Sequence, residues 1–201
     1  VAVGEETPKI FLLHSELLAR ESDRLAKDVK GGFGEQSEQK ILLDTEDPDL
    51  FGYFVEYVYR REWLAEEKDL RDSDYIILAR LYALGERLQA HNFQYATLRK
   101  FTRSFYHASL PDQGLCDLLE IACTELPDRV NEDPLRQQIF WYAASRLTRL
   151  QNYDYFLRLL DMHKDLGKYL CTRAGNSSAS QPTKPSEPLP LRFRPESIFQ
   201  G

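Results

Sequence analysis

The run Asp47-Pro48-Asp49-Leu50-Phe51-Gly52-Tyr53-Phe54-Val55-Glu56-Tyr57-Val58-Tyr59-Arg60-Arg61 leaves the chain least choice of structure. Asp47 supplies a capping carboxylate. Pro48 suits the first helical position, where its missing N–H has no intrahelical use, and Asp49 sits at the positive helix end. Phe51, Phe54, Val55, Val58 and Tyr59 recur at offsets of 0, 3, 4, 7 and 8, which places them on one face of a 3.6-residue helix. Arg60 and Arg61 complement the negative end. Burying such a face contributes on the order of 8 kcal/mol before entropy is subtracted. The rest of the chain therefore has to supply a core for it.

Before this helix, Val1 to Gly4 and Ile10 to Leu13 predict a β-hairpin across the polar turn Glu5 to Pro8. Leu17, Leu18, Leu25 and Val29 predict two short helices broken near Glu21-Ser22-Asp23, with Ser22 as N-cap and Gly31-Gly32 as the stop. Ile41-Leu42-Leu43 is wholly apolar and predicts a third, buried strand. After it, Glu62 to Asp74 predicts a solvated connection with a short edge strand near Trp63-Leu64. Asp72 to Asp74 then open a helix with the stripe Ile77, Leu81, Leu84 and Leu88, and Phe93, Leu98, Phe101 and Phe105 form another after a break at Gln89 to Asn92. Three further helices are predicted over 113–126, 134–150 and 153–170, the last capped by Asn152, before a Ser- and Pro-rich tail without periodicity, expected to be disordered. The fold class is α+β: a small, mostly antiparallel sheet from the first 45 residues, covered by helices, then an all-helical extension. The domains are 1–103, 104–172 and the tail 173–201.

A composition of 42% hydrophobic and 12% aromatic residues suits a globular chain, and a net charge of −6 without clustered Lys or Arg argues against nucleic-acid binding. Three cysteines, Cys116, Cys123 and Cys171, have neither metal-ligand nor disulfide-framework spacing and fit a reducing, intracellular compartment, nuclear or cytoplasmic. No apolar run approaches the roughly 20 residues of a membrane span. The chain opens on Val1 rather than Met, so an upstream segment is expected. His14 reads as a hydrogen-bonded structural histidine because no Cys or His stands at ligand spacing from it. Cys116 and Cys123 read as buried thiols. Gly31-Gly32-Phe33-Gly34 lacks the Lys and Ser/Thr of a phosphate loop, and Glu66-Glu67 lies among charged neighbours as a solvated pair. No catalytic residue, cofactor or metal ligand is assigned, and the chain is read as a non-enzyme.

Several signals, taken in order, resemble the BTB/POZ family. Phe11-x-x-His14-x-x-x-Leu18-x-x-x-Ser22 resembles its strand-to-helix entry, Phe33-Gly34-Glu35 its F-x-E loop, and Ile41-Leu42-Leu43 its third strand. Asp47-Pro48-x-x-Phe51 leading to Tyr57-Val58-Tyr59 resembles its third helix, and Leu78-Ala79-Arg80-Leu81-Tyr82-Ala83-Leu84 the next one. The resemblance covers residues 1 to about 103. It departs at Ser15, where Lys is common, and at Tyr59-Arg60-Arg61, in place of Tyr-Thr-Gly. The helical extension and acidic character are similar to the fungal branch.

The resemblance implies a protein–protein interaction module that self-associates or pairs with other BTB proteins. It implies a dimer face at Leu17, Leu18 and the N-terminal strand, and a cullin-facing surface at Tyr53, Glu56, Tyr59, Arg60 and Arg61. The alternative is a substrate adaptor for a cullin-type ubiquitin ligase. In the register set by Asp47-Pro48, Tyr53 takes the acidic place of the expected hydrophobic-x-Glu signature, and Phe54-Val55-Glu56 carries those letters one turn late. Without residues ahead of the first strand, a weak homodimer of roughly micromolar affinity or looser is expected.

Overall fold

Asp47 accepts hydrogen bonds from the N–H groups of Asp49 (2.7 Å) and Leu50 (3.2 Å), and with Pro48 in the first turn it starts the helix that the rest of the chain packs around. The computed structural model describes residues 1–31, 40–64, 70–105, 108–126 and 133–175, with helix backbone alone over 173–175. The order of elements is β1 (Ala2–Val3), β2 (Lys9–Ile10), α1 (Ser15–Glu21), α2 (Asp23–Gly31), β3 (Leu42–Leu43), α3 (Pro48–Arg60), α4 (Asp72–Arg87) and α5 (His91–Phe105). Then come α6 (Asp112–Thr124), α7 (Pro134–Ala144), α8 (Leu147–Leu150), α9 (Asp154–Met162) and α10 (Lys164–Gly175). The fold is α+β, mostly helical with one three-stranded sheet.

The sheet runs β2-β1-β3. β1 pairs antiparallel with β2 (Ala2 opposite Ile10) and parallel with β3 (Ala2 opposite Leu42). It is therefore mixed rather than mostly antiparallel. Val3 and Leu43 turn into the core, while Ile10 is 60% and Leu42 64% exposed on the other face. The expectation of a fully buried third strand thus fails for Leu42, because strand side chains alternate and, among the described residues, Leu43 faces the core while Leu42 faces away from it. Trp63-Leu64 forms no strand. Trp63 is buried edge-on to Tyr57 at 5.0 Å, and Lys100 donates to its carbonyl at 2.7 Å.

On α3 the buried face is Phe51, Phe54, Tyr57 and Val58, with Tyr59 exposed, so Tyr57 takes the place in the core expected of Tyr59. Ser22 is the predicted cap. Its hydroxyl accepts from Leu25 N–H (3.0 Å) and donates to the carbonyl of Leu88 (2.5 Å), tying the α1–α2 corner to the end of α4. At the α4–α5 crossing Gly85 admits the other helix. A Cβ there would lie 2.9 Å from Cβ of Gln94 and 3.0 Å from its Cα.

Two apolar clusters divide the interior, and α4 serves both. Leu81, Leu84 and Leu88 pack with Phe51, Phe54 and Phe93. Tyr75, Leu78, Ala79 and Tyr82 pack with the interior of α5, α6 and α7, and Tyr82 donates to buried Asp133 at 3.0 Å.

The predicted helices 134–150 and 153–170 each divide. Ser145 bonds back to the Tyr142 carbonyl at 2.7 Å, and Arg146 leaves helical geometry (φ −116°, ψ 15°) while donating to Leu110 O at 3.1 Å. At His163 (φ −119°, ψ 81°) the chain bends so that Tyr169 on α10 meets Phe140 on α7, centroids 5.0 Å apart. A straight helix over 153–170 would run about 27 Å and carry its far end past that contact. Asn152 does not cap α9; its amide donates to Thr148 O at 3.3 Å. The expected tail begins inside α10, which runs to Gly175, and the Phe33-Gly34-Glu35 loop, Glu66-Glu67 and 176–201 lie outside the described residues.

Candidate functional site

His14 stands at the N-cap position of α1 with an extended backbone (φ −75°, ψ 117°), yet its side chain makes no cap hydrogen bond. Its Nδ1 lies 2.8 Å from Tyr59 Oη, and its backbone N–H donates to the same oxygen at 3.0 Å. One phenol in the last turn of α3 thus holds both the ring and the main chain at the start of α1. This explains why Tyr59 is drawn out of the apolar stripe. The two residues are 45 apart in sequence, so periodicity along either helix carries no sign of the contact.

Glu21, at the far end of α1, is also fixed to the end of α3. Arg61, whose φ of 61° lets it close α3 in the left-handed region, donates its guanidinium to Glu21 Oε1, and Arg20 reaches the same oxygen at 3.2 Å. Burial raises the Glu21 carboxyl pKa, but the hydrogen bond and charge of Arg61, aided by Arg20, more than offset this and hold it below its ordinary value of 4.5. Arg61 is held above its own ordinary value chiefly by the Glu21 hydrogen bond, and its guanidinium stacks 4.9 Å from the Tyr57 ring centroid. Burial likewise raises Tyr57. A helix of only 7 residues is marginal alone. The clamps at both ends set its position.

Beside the His14–Tyr59 clamp opens a groove of about 650 Å³ lined by Leu13, His14, Ser15, Glu16, Leu17 and Tyr59. Its wall is apolar at Leu13 and Leu17 and polar at the histidine, hydroxyl and carboxylate, so it offers apolar contact and hydrogen bonds side by side. The sequence-derived residues distribute unevenly around it. Leu17 lines the groove, whereas Leu18 is 2% exposed and belongs to the core, so it presents no surface in this conformation. Tyr53 is half-buried against the N-terminal cluster, Glu56 and Arg60 are exposed on α3, and Arg61 is engaged by Glu21. Leu17 and Tyr59, assigned from sequence to two separate surfaces, share one groove. Sequence reasoning missed Ser15, Glu16 and Glu21, and it also missed the exposure of Ile10, Leu12 and Leu42. The unbroken apolar run Ile10 to Leu13 gives no sign of which of its residues face away from the core.

Cys116 is buried, Cys123 packs against the same cluster, Cys171 is exposed, and all three are thiols. Burial pushes the Cys116 thiol up to about 12. Among the described residues no three of His, Cys, Asp and Glu gather as a metal-ligand set, and no helix is long and apolar enough to cross a membrane. No family model matches the chain, and no curated protein matches it at a significant level.

Proposed function

We propose that this chain is a non-catalytic protein–protein interaction module of the BTB/POZ type, most similar to the fungal branch with its helical extension, and that it self-associates or recruits another BTB protein. The observation that carries the proposal is where the exposed apolar side chains lie. Among the described residues, four of the seven large apolar side chains that stand exposed, Ile10, Leu12, Leu42 and Tyr59, from 43% to 94% exposed, belong to the sheet, the segment leading into α1 and the groove wall, while Tyr95, Leu157 and Met162 belong to α5 and α9. Exposed apolar groups grouped in this way mark interaction surfaces, whereas the same residues scattered would carry no message. The succession β1, β2, α1, α2, β3, α3 supports the family resemblance by placing strand entry, helical corner and central helix in the family's order. Three thiols fit a reducing compartment, nuclear or cytoplasmic.

The narrower reading, an adaptor for a cullin-type ubiquitin ligase, draws on Glu56 and Arg60, exposed one turn apart on α3. Tyr53 and Arg61 give it less, because one packs on the core and the other is held by Glu21. Light scattering on the full chain over rising concentration, beside a pull-down with purified cullin, tests both. Mass rising above the 23.4 kDa monomer supports self-association. A constant monomer mass that a second BTB protein also leaves unchanged overturns the module, and cullin failing to bind removes the adaptor.

A further inference from the structure

We infer that the outer edge of β2 is where two copies of this chain pair, as antiparallel strands about a two-fold axis at Phe11. This rests on the self-association proposed above and names its surface. The ladder alternates. Phe11 N–H donates to Val1 O at 2.8 Å and Val1 N donates back to Phe11 O at 2.8 Å, while Val3 opposes Lys9. Ala2 instead bonds toward β3, through Ile41 O at 2.8 Å, and so Ile10, opposite Ala2, directs its N–H and C=O away from β1.

The side chains tell the same alternation one residue further. Phe11 and Leu13 pack against the core, and Ile10 and Leu12 are 60% and 94% exposed. Among the described residues no hydrogen bond reaches the main chain of Ile10 or Leu12. Pro8, the preceding outward position, has no N–H to give, which bounds the usable edge to those two residues.

That bound selects both register and occupant. A two-fold rotation through Phe11 places Ile10 of each copy opposite Leu12 of the other, so the two available positions complement themselves. Each pair exchanges both main-chain bonds, about four in all. The apolar strips Leu42-Ala2-Ile10 of the two copies then run together across the joint. Lys9, held 3.5 Å from Asp49, falls opposite Leu13 of the second copy rather than opposite the other Lys9, so no like charges meet. Pairing consumes this edge on both copies, so growth through it stops at two. Two side chains per copy bury far less than the roughly 800 Å² per partner of a standard interface, so the dimer is weak, with a dissociation constant on the order of micromolar or above.

The test is sedimentation velocity of the full chain from about 1 to about 500 μM, comparing the native sequence with Ile10→Lys/Leu12→Lys, with Leu12→Lys alone and with Leu17→Asp. Leu12 contributes nothing to the core, so its single variant remains informative if the double one misfolds. The native chain should dimerise, both lysine variants should dissociate at least about tenfold more readily, and the Ile10 and Leu12 amides should gain exchange protection at high concentration. Dimers unaffected by the lysines but broken by Leu17→Asp would overturn the edge and leave self-association standing. A native chain that stays monomeric throughout would overturn both.

Discussion

Replacing Ser22 by Ala removes one oxygen and two structural ties. Ser22 is 1% exposed, its hydroxyl accepts from Leu25 N–H, and it is the group that satisfies the Leu88 carbonyl at the α4–α5 turn. Loss of the N-cap costs about 1 kcal/mol, and stranding a buried carbonyl adds about 1–3 kcal/mol. The expected destabilisation is about 2–4 kcal/mol, a large share of the ordinary 5–15 kcal/mol of a folded domain. With a urea slope of about 2 kcal/mol per molar, the midpoint should fall by about 1–2 M. Thr124→Ala is the control. That hydroxyl also donates to a helix carbonyl, Glu120 O at 2.7 Å, but in an exposed place, and its loss should stay within about 0.5 kcal/mol. Equal small effects of both substitutions would refute the reasoning, since the Leu88 carbonyl would then have found water or another donor.

Phe54→Ala should cost about 3–5 kcal/mol by calorimetry, because the ring is wholly buried between Phe51 and Phe93 (centroids 5.6 and 5.3 Å); an unchanged melting temperature would contradict this. Glu21, held below 4.5 when folded, binds fewer protons folded than unfolded at low pH, so its contribution is complete above that pH and lost as pH falls through the folded value. In melts from pH 6 to pH 2, Glu21→Gln should therefore reduce the acid slope, and an unaltered slope would show that the Arg61 pair is not its source. At pH 8 a maleimide should label Cys171 rapidly and leave Cys116 unmodified in the native protein, read by mass spectrometry; equal labelling would mean that Cys116 is accessible.

Caps and stripes made α3 readable in advance, because Asp47, Pro48 and Phe51 act locally and their chemistry is set within one turn. The corner at Ser22 was readable for the same reason. Tyr59 was misplaced because a helical stripe ranks residues by spacing alone, while the position of this ring is decided by an imidazole from a distant element. Leu42 was misplaced because an apolar triplet does not reveal which of its residues the strand turns away from the core. The breaks at Ser145 and His163 were invisible for a different reason. Apolar spacing persists through both, and the bends follow from where α10 must lie to meet Phe140. The groove drew on two segments at once, so only its individual walls, Leu17 and Tyr59, could be named.

The two-sided use of α4 decides how this protein can be handled in pieces. A fragment ending near residue 105 would keep every strand and the whole of α3, and by secondary structure it would look self-sufficient. It would also lay bare the flank of α4 and α5 carrying Leu78, Tyr82, Phe101 and Phe105, all at most 5% exposed in the full chain. Such a flank seeks apolar cover from its neighbours, so a shortened version would precipitate or bind chaperones, and any association measured on it would report that raw flank rather than the native surface.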